Sequence, residues 1–458
     1  MGKGVHMEAF DVAVVGMGPG GEHIAGTLAE CGLRVLGIDN HLLGGECPYW
    51  GCVPTKMMIR AAAALAEARR VGDLAGSVGE VRADWELVAR RIREEATDSW
   101  DDTAAVERFT GKGGVFVRGT GRLAGPRRVD VDGTGYELSR GVVIATGSRP
   151  AIPAIDGLED VPYWTNRDVV EAPTLPGSII VLGGGAIGCE LAQVFVRFGV
   201  RVAVVERADS LLALEEPEAG ELLRSVLEAE GIEVHTGVGA RRVDRDGAGV
   251  SVVLEDGVVL RAERLLVATG RTADPAAAGL DTVGVEPEAR AAPIDDRCRV
   301  ADGVWAVGDI TGKGAFTHVS MYQAGIVIRD ILGEAGPPAD YRALPRVTFT
   351  DPEVGAVGLT ERQAREAGIR VRVGSTPVPS TARGWIHKSG NEGTIKLVAD
   401  ADRSVLVGAT AMSPAGGEVL GALSVAVHAE VPISTLRSMI YAYPTFHRGI
   451  EDALRDLG

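Results

Sequence analysis

The chain has little positive charge and no long apolar run. Its 47 lysines and arginines face 63 aspartates and glutamates, which gives a formal charge of −16. This acidity opposes binding to phosphate backbones, and no stretch interleaves basic with aromatic residues, so we expect no nucleic-acid partner. The longest apolar runs, such as 141–145 and 178–182, fall far short of the roughly 18 to 20 residues of a membrane helix, so we expect no membrane partner.

Cysteine is scarce as well. The five cysteines are odd in number and do not form the disulfide framework of a secreted protein. No apolar signal segment precedes the strand-like run Phe10 to Val15, and we expect Met1 to Met7, either a cloning remnant or a natural start, to be dispensable for the fold. These features favour a reducing, cytoplasmic location.

Glycine, in contrast, is abundant, with 62 residues, while aromatics make up only 5% of the chain. With 45% hydrophobic and 24% charged residues, this is the profile of a globular α/β protein rich in tight turns. At roughly one core per 100 to 200 residues, a chain of 458 residues corresponds to about two to four domains.

A glycine-rich turn follows the first apolar strand, which runs from Phe10 to Val15. Gly16 permits the tight turn, Gly18 lets the backbone approach a pyrophosphate, and Gly21 allows close packing of the following helix on the strand. The next strand ends in Asp39, 18 residues past Gly21, where a carboxylate can bond a ribose hydroxyl. The unit predicts a binding site for an ADP moiety.

The same unit occurs a second time. An apolar strand, Ser178 to Leu182, leads into Gly183, Gly185 and Gly188, and a second strand ends in Glu206, again 18 residues past the last glycine. A duplication at this scale predicts two dinucleotide sites.

Each copy continues to an Ala-Thr-Gly turn, which places Thr146 and Gly147 in the first site and Gly270 in the second. Two dinucleotides in one enzyme are most simply FAD, in the first site, and a nicotinamide, in the second. Glu206 suits the ribose hydroxyl of NADH and repels the 2′-phosphate of NADPH, whereas the neighbouring Arg207 attracts it. We therefore expect NAD(P)H with NADH favoured.

Cys47 and Cys52 lie between the first unit and its continuation. Cys52 begins a predicted helix, where the helix dipole and Lys56 favour the thiolate, the nucleophilic form in disulfide exchange. Lys56 also suits the negative charge of a reduced flavin. The alternatives are a pair of buried small residues or half of a zinc site, but no second cysteine or histidine pair lies nearby at ligand spacing.

The stretch from Gly44 to Lys56 resembles the redox signature of the flavin disulfide reductases, the family of lipoamide dehydrogenase, glutathione reductase and mercuric reductase. The resemblance extends over essentially the whole chain. It implies that Cys47 is the interchange thiol that meets the substrate and that Cys52 is the charge-transfer thiol over the flavin. It also implies that Glu190 pairs with Lys56.

The second flavin motif of this family resembles the stretch around Gly308 and Asp309. The resemblance implies that Asp309 bonds the ribityl chain of the flavin. His318 follows where that motif usually carries a histidine, and a core histidine explains it at least as well as a catalytic one.

From Pro345 onward the chain resembles the interface domain of the family. This implies a homodimer in which Tyr443 or His447 of one subunit faces Cys47 of the other. We therefore expect an α/β protein with two Rossmann-like dinucleotide-binding domains and a C-terminal α+β dimerisation domain. The expected domains are FAD binding at 8–150 and 271–345, NAD(P) binding at 151–270, and dimerisation at 346–458.

The resemblance breaks near the C-terminus, where members that act on disulfides carry His-Pro-Thr-x-x-Glu. Tyr443 and Arg448 replace the histidine and the glutamate, which removes the acid/base group whose pKa lies near 6.5. Mercuric reductases also place a tyrosine here but add a C-terminal cysteine pair, and 453–458 contain no cysteine. A carboxylating member has also lost the histidine. A plain alternative is that Tyr443 only packs and His447 is a surface histidine.

The sequence therefore predicts an NAD(P)H-dependent flavoenzyme that passes electrons through the cysteine pair to an acceptor needing little acid/base help. A metal ion, a quinone and an unusual thiol compound all remain open. The alternative enzyme is a lipoamide dehydrogenase or small-disulfide reductase that uses His447 or Tyr443 as acid/base. A redox sensor or electron-transfer partner is the alternative of another class, and retention of both glycine motifs, Lys56 and Glu190 argues against it.

Overall fold

The structure is a computed structural model that describes residues 10–77 and 79–458. The expectation about Met1 to Met7 lies outside the described residues. The chain divides into two compact units. The first takes the residues up to Pro54, 91–151 and 271–340, and the second takes 55–90, 152–270 and 341–458.

Twenty-two strands lie in the described residues. In chain order they are β1 Phe10–Val15, β2 Val35–Asp39, β3 Val115–Arg118, β4 Gly121–Leu123, β5 Arg128–Val131, β6 Thr134–Ile144, β7 Arg149–Pro150, β8 Ser178–Leu182, β9 Arg201–Val205, β10 Glu233–His235, β11 Ala240–Asp246, β12 Gly249–Leu254, β13 Val259–Ala262, β14 Arg264–Val267, β15 Arg271–Thr272, β16 Arg299–Ala301, β17 Val304–Ala306, β18 Pro345–Thr348, β19 Glu353–Gly358, β20 Val371–Pro377, β21 Thr394–Asp400 and β22 Val405–Ser413.

Fourteen α-helices lie in the same part of the chain. They are α1 Pro19–Glu30, α2 Glu46–Tyr49, α3 Cys52–Leu74, α4 Trp85–Arg91, α5 Thr103–Gly111, α6 Asn166–Glu171, α7 Ala186–Arg197, α8 Pro217–Ala229, α9 Thr317–Leu332, α10 Glu361–Glu366, α11 Ala382–His387, α12 Gly416–His428, α13 Ile433–Ser438 and α14 Gly449–Asp456. None of these described helices is long and apolar enough to cross a membrane.

The first unit is built on an eight-stranded sheet in which β1 lies in parallel between β2 and β6. Alternate residues of β1 enter two different cores. Val12 and Val14 pack with Ile24 and Leu28 of α1 on one face, and Ala13 packs with residues of the other core. Burial on both faces explains why β1 is apolar at every position except the half-buried Asp11.

The second unit repeats this arrangement and adds antiparallel sheets. β8 lies in parallel between β9 and β14, as β1 lies between β2 and β6. A three-stranded sheet, β11-β12-β13, follows, and the C-terminal part forms a five-stranded sheet in the order β18-β19-β22-β21-β20. Helices α12 and α14 pack on this last sheet around Leu397, Leu406, Leu423 and Leu454.

The predicted fold class is therefore confirmed: a parallel α/β arrangement occurs twice, around β1 and around β8, and an α+β part follows at the C-terminus. The exact limits of the four expected domains stay predictions.

Candidate functional site

The first glycine turn leaves room in front of α1. Gly16 has a φ of +94°, and a Cβ there would lie 2.4 Å from the Ala145 carbonyl oxygen. At Gly21 a Cβ would lie 2.0 Å from the Gly16 oxygen, so neither position accepts a side chain. Gly18, the N-cap of α1, has no atom within 4 Å of its Cβ position. The turn thus keeps an open approach to the helix N-terminus, which suits the pyrophosphate of a dinucleotide.

The second turn has the same construction in the second unit. Gly183 has a φ of +110°, and a Cβ at Gly188 would lie 1.9 Å from the Gly183 oxygen. The N-cap of α7 is Gly185, which again has no atom within 4 Å of its Cβ position. Both turns therefore leave space at a helix N-terminus for the pyrophosphate of a dinucleotide.

The carboxylates at the two strand ends repeat one hydrogen-bond pattern. Asp39 accepts hydrogen bonds from the backbone N–H of Met17 and of His41, both at 2.7 Å. In the second unit, Glu206 accepts from Gly184 at 2.6 Å and from Ala208 at 2.7 Å. Two backbone donors thus fix each carboxylate beside its glycine turn, where a ribose hydroxyl would lie.

The two Ala-Thr-Gly turns flank these sites. The backbone N of Thr146 would lie 2.8 Å from a Cβ at Gly16, so the first of them contacts the glycine turn directly. Gly147 and Gly270 have φ values of +67° and +115°, and no atom lies within 4 Å of either Cβ position. Only glycine adopts these turns without strain, and both turns leave space.

Asp309 is held by residues that sequence reasoning missed. Gly308 begins the 3-10 turn Gly308–Thr311. The Ser148 hydroxyl donates to the Asp309 carboxylate at 2.5 Å, and the Arg271 Nε donates to the same hydroxyl at 2.8 Å. Arg271 also lies 3.6 Å from the Glu46 carboxylate, next to Cys47. The sequence signal that could have identified Arg271 is its position directly after the second Ala-Thr-Gly turn.

The two candidate redox cysteines meet in the first unit. Cys47 lies in α2, Cys52 is the first residue of α3, and both the Trp50 and Gly51 N–H groups donate to the Glu46 carbonyl, at 2.9 and 2.7 Å. This turn brings the sulfurs into hydrogen-bond contact. The pKa of the Cys47 thiol is raised, first by its hydrogen bond to Cys52 and second by burial. The raised pKa favours the protonated form of the Cys47 thiol in the reduced pair.

Lys56 and Glu190 form an ion pair of 2.6 Å in the second unit. Glu190 is almost completely buried, and its second carboxylate oxygen accepts from the Phe349 backbone N–H at 2.8 Å. The Lys56 ammonium lies 4.8 Å from the centre of the Phe349 ring. Glu190 thereby fixes a lysine whose charge also rests against an aromatic face.

The residues near the C-terminus are arranged in two separate contacts. Tyr443 is 69% exposed, and the Arg448 guanidinium lies over its ring at 5.2 Å. His447 is half-buried and lies against a different ring, that of Tyr441, at 6.2 Å. Tyr443 and His447 therefore have different partners. In the first unit, His318 is exposed and stacks on the Phe316 ring, with 5.1 Å between the ring centres.

No group of three or more histidine, cysteine, aspartate or glutamate side chains in residues 10–77 and 79–458 is arranged to hold a metal ion.

Comparison with known proteins identifies the family. The family described as "Pyridine nucleotide-disulphide oxidoreductase" matches residues 10–324, and its dimerisation domain matches residues 344–454. A dihydrolipoyl dehydrogenase of Chlorobaculum tepidum is 34% identical over 98% of this chain and 97% of its own length. A mercuric reductase of Streptomyces lividans is 32% identical over 96% of this chain and 95% of its own length.

A solved structure resembles the whole chain. It is the Cu(II) complex of the HOCl-induced flavoprotein disulfide reductase RclA from Escherichia coli. The TM-score is 0.83 at 26% identity, and the match covers 97% of this chain and 99% of that one. The chain therefore belongs to the pyridine nucleotide-disulphide oxidoreductase family, whose members are flavoproteins that use FAD and a pyridine nucleotide.

Proposed function

We propose that this flavoenzyme takes an electron pair from NADH and passes it through Cys47 and Cys52 to a metal ion rather than to an ordinary dithiol or disulfide. The observation that carries the proposal is the contact between Tyr443 and Arg448, at 5.2 Å. These residues occupy the two positions where family members that act on disulfides carry a histidine and a glutamate.

The two classes of acceptor differ in their need for protons. Reduction of a disulfide consumes two electrons and two protons, so a group that delivers protons near neutral pH accelerates it. A dithiol that closes to a disulfide releases two electrons and two protons, and two Cu(II) ions or one Hg(II) ion take up the electrons alone. The protons leave to water. An active site without the histidine suits this second case.

Bound FAD would relay electrons from the nicotinamide of the second nucleotide to the disulfide. Gly16, Gly18 and Asp39 would hold the FAD, and Gly183, Gly185 and Glu206 the nucleotide. Glu206 supports NADH, because its fixed carboxylate repels a 2′-phosphate. Lys56, paired with Glu190, would offset negative charge near the flavin.

Two comparisons support a metal ion as the acceptor. The relative from Streptomyces lividans is named a mercuric reductase, and RclA is described as a Cu(II) complex. The position of Cys52 at the N-terminus of α3, where the helix dipole favours a thiolate, supports the charge-transfer role proposed for Cys52 and the interchange role proposed for Cys47.

We further propose that the chain acts as a homodimer in a reducing cytoplasm. The matched dimerisation domain, residues 344–454, supports the dimer. Several apolar side chains of that domain are exposed in the single chain, among them Trp385 at 76% and Ile440 at 96%, and association with a second copy would cover them.

The second candidate is a dihydrolipoyl dehydrogenase-like activity. It is favoured by the 34% identity to the Chlorobaculum tepidum protein and by the presence of a half-buried histidine, His447, within the same segment as Tyr443. In this case His447 or Tyr443 would carry the proton.

Steady-state assays of the purified flavoprotein distinguish the two candidates. NADH oxidation is measured with Cu(II), Hg(II), a water-soluble benzoquinone, lipoamide and glutathione disulfide, and dihydrolipoamide with NAD is measured in reverse. We expect turnover with a metal ion, loss of that turnover in Cys47→Ser, and little turnover with lipoamide. Fast turnover of lipoamide, or a metal turnover that survives in Cys47→Ser, would contradict the proposal.

A further inference from the structure

A threonine hydroxyl contacts both sulfurs of the candidate redox pair. The Thr317 Oγ1 lies 3.6 Å from the Cys52 Sγ. A hydrogen bond from the same side chain lowers the pKa of Cys47, against the larger effects of Cys52 and of burial that raise it. Thr317 is 265 residues from Cys52 in sequence, and both lie in the first unit.

Thr317 is also the first residue of a long helix, so its backbone N–H lies at the helix N-terminus. This helix is α9, a helix of 16 residues whose N-cap, Phe316, has no side chain able to cap it. The sulfur pair therefore lies beside the N-terminus of α9 and at the N-terminus of α3, which Cys52 begins. Both helix ends favour negative charge on a nearby sulfur.

We propose that Thr317 is a catalytic residue of the dithiol reaction, because its hydroxyl donates a hydrogen bond to whichever of the two sulfurs is anionic. A hydroxyl has one proton to donate and rotates freely about its C–O bond. Its contact with both sulfurs allows it to follow the charge.

In the proposed mechanism the Thr317 hydroxyl serves two states of the reduced pair, one with the anion on Cys52 and one with the anion on Cys47. While Cys47 holds the proton, Cys52 is the anion and accepts from both Cys47 and Thr317. When Cys47 must act as the nucleophile, its proton leaves to water or to Cys52, and the Thr317 hydroxyl turns to Cys47. The hydroxyl itself is not ionised in either state, and no electron passes through it.

This role bears on the missing histidine. In family members that act on disulfides, the histidine meets the interchange thiol from the second subunit. Thr317 acts within the same chain and the same unit as the cysteines. It stabilises the anion but cannot deliver a proton at neutral pH, which agrees with an acceptor that takes electrons alone.

The inference rests on the proposed role of Cys47 and Cys52 as the redox pair but not on the identity of the acceptor. It is tested on the holoenzyme, reduced with dithiothreitol, by following iodoacetamide alkylation of each cysteine against pH with mass spectrometry. The variants are Thr317→Val, which has a similar shape without the hydroxyl, and Thr317→Ser, which keeps the hydroxyl. The exposed Cys31 of the same chain serves as the internal reference for the alkylation chemistry.

In Thr317→Val we expect the pH midpoint for alkylation of the pair to rise by about one pH unit and the rate at pH 7 to fall about tenfold, because a thiolate loses a hydrogen-bond donor. Thr317→Ser should behave as the wild type, and Cys31 should react equally in all three proteins. An unchanged midpoint in Thr317→Val overturns the inference. So does a Thr317→Ser protein as slow as the valine variant, since the methyl group would then carry the effect.

If Thr317→Val does not retain flavin, Thr317→Ala replaces it, and an unchanged midpoint there overturns the inference equally. A separate count of alkylatable thiols before and after NADH addition tests the redox pair itself. No gain of two thiols would contradict the proposed function, whereas a gain of two thiols with an unchanged Thr317→Val profile removes only the role of Thr317.

Discussion

The Arg448 guanidinium stacks on the Tyr443 ring at 5.2 Å, so the two residues that depart from the family's histidine and glutamate contact each other. Arg448 is also paired with Glu451 at 3.0 Å, which holds it in place. A cation over an aromatic face is a stable local contact, and here it stands in place of the family's histidine–glutamate pair. The two departures from the family pattern therefore form one structural change.

Restoring both family residues should restore disulfide chemistry. In Tyr443→His with Arg448→Glu, we expect turnover of lipoamide to rise by about 10² to 10⁴, the usual contribution of a general acid/base histidine. The rate of flavin reduction by NADH, measured by stopped-flow absorbance, should not change, because the substitutions do not touch the nucleotide turn.

The matched control for this experiment is His447→Ala. Since His447 lies against the Tyr441 ring, its loss should leave lipoamide turnover within about twofold of the wild type. A wild-type enzyme that already turns over dihydrolipoamide at roughly 1 to 10³ per second would show that one of these residues supplies the proton.

Nucleotide preference should depend on Glu206 and Arg207 in opposite directions. We expect the wild type to prefer NADH in kcat/KM and Glu206→Gln to narrow that preference by roughly fivefold, because one repulsive charge near the 2′-phosphate is removed. Arg207→Ala should widen the preference for NADH, since the exposed guanidinium beside Glu206 attracts a 2′-phosphate. Steady-state kinetics with both nucleotides decide this, and a wild type that prefers NADPH would show that Arg207 outweighs Glu206.

Arg271 should be important for flavin retention. In Arg271→Gln, the Ser148 hydroxyl loses its donor and the Glu46 carboxylate its cation, so Asp309 is less firmly placed. We expect about tenfold weaker retention of FAD, measured by the flavin fluorescence released on dilution.

Arg149→Gln is the control, because Arg149 pairs with β15 in the same two-stranded sheet but is 71% exposed. Its pair with Asp274, at 3.5 Å, should contribute only about 0 to 1 kcal/mol. Equal loss of flavin in both variants would mean that the small sheet, and not the Arg271 contacts, holds the site.

A buried lysine in the second unit should contribute strongly to the stability of the protein. Lys396 is 7% exposed and lies 2.9 Å from the buried Glu216, 2.7 Å from Glu218 and 3.1 Å from Glu361. In Lys396→Met the buried Glu216 loses its cation, and we expect a loss of about 3 to 5 kcal/mol in the free energy of unfolding. Arg370→Met, which breaks an exposed pair with Asp402, should leave the midpoint of the same denaturant titration nearly unchanged.

The pH dependence of this cluster follows from the raised pKa of Lys396, which the three carboxylates hold above its ordinary value of 10.5 despite burial. A raised folded-state pKa means that the contribution is complete below pH 10.5 and is lost as the pH rises further. Unfolding titrations from pH 7 to 9 should therefore give the same difference between Lys396→Met and the wild type.

The cysteines should have separable spectroscopic roles. On partial reduction of the holoenzyme, we expect the long-wavelength absorbance typical of the family, and we expect Cys52→Ser to lack it while Cys47→Ser retains it. The reason is that Cys52 begins α3, whose N-terminus favours a thiolate at this sulfur with or without Cys47. The opposite pattern in anaerobic titrations would invert the assignment of the two sulfurs.

The sequence by itself determined the features that depend on short stretches of chain. Gly16 and Gly183 must be glycine because their positive φ and the carbonyl oxygens next to them exclude a side chain, and such a requirement is visible in the residue type. The equal spacing from Gly21 to Asp39 and from Gly188 to Glu206 revealed the duplication, because a strand, a turn and a helix that follow one another are local structures with a fixed length of chain.

Only the tertiary structure decided which distant residues support these motifs. Thr317 reaches Cys52 because α9 and α3 begin at the same place in the first unit, and Arg271 reaches Ser148 because β15 pairs with β7. Neither residue has a periodic pattern or a charge that distinguishes it from many other threonines and arginines. Such contacts depend on strand order, register and helix packing between segments far apart in sequence, and so the sequence specifies them only through the complete fold.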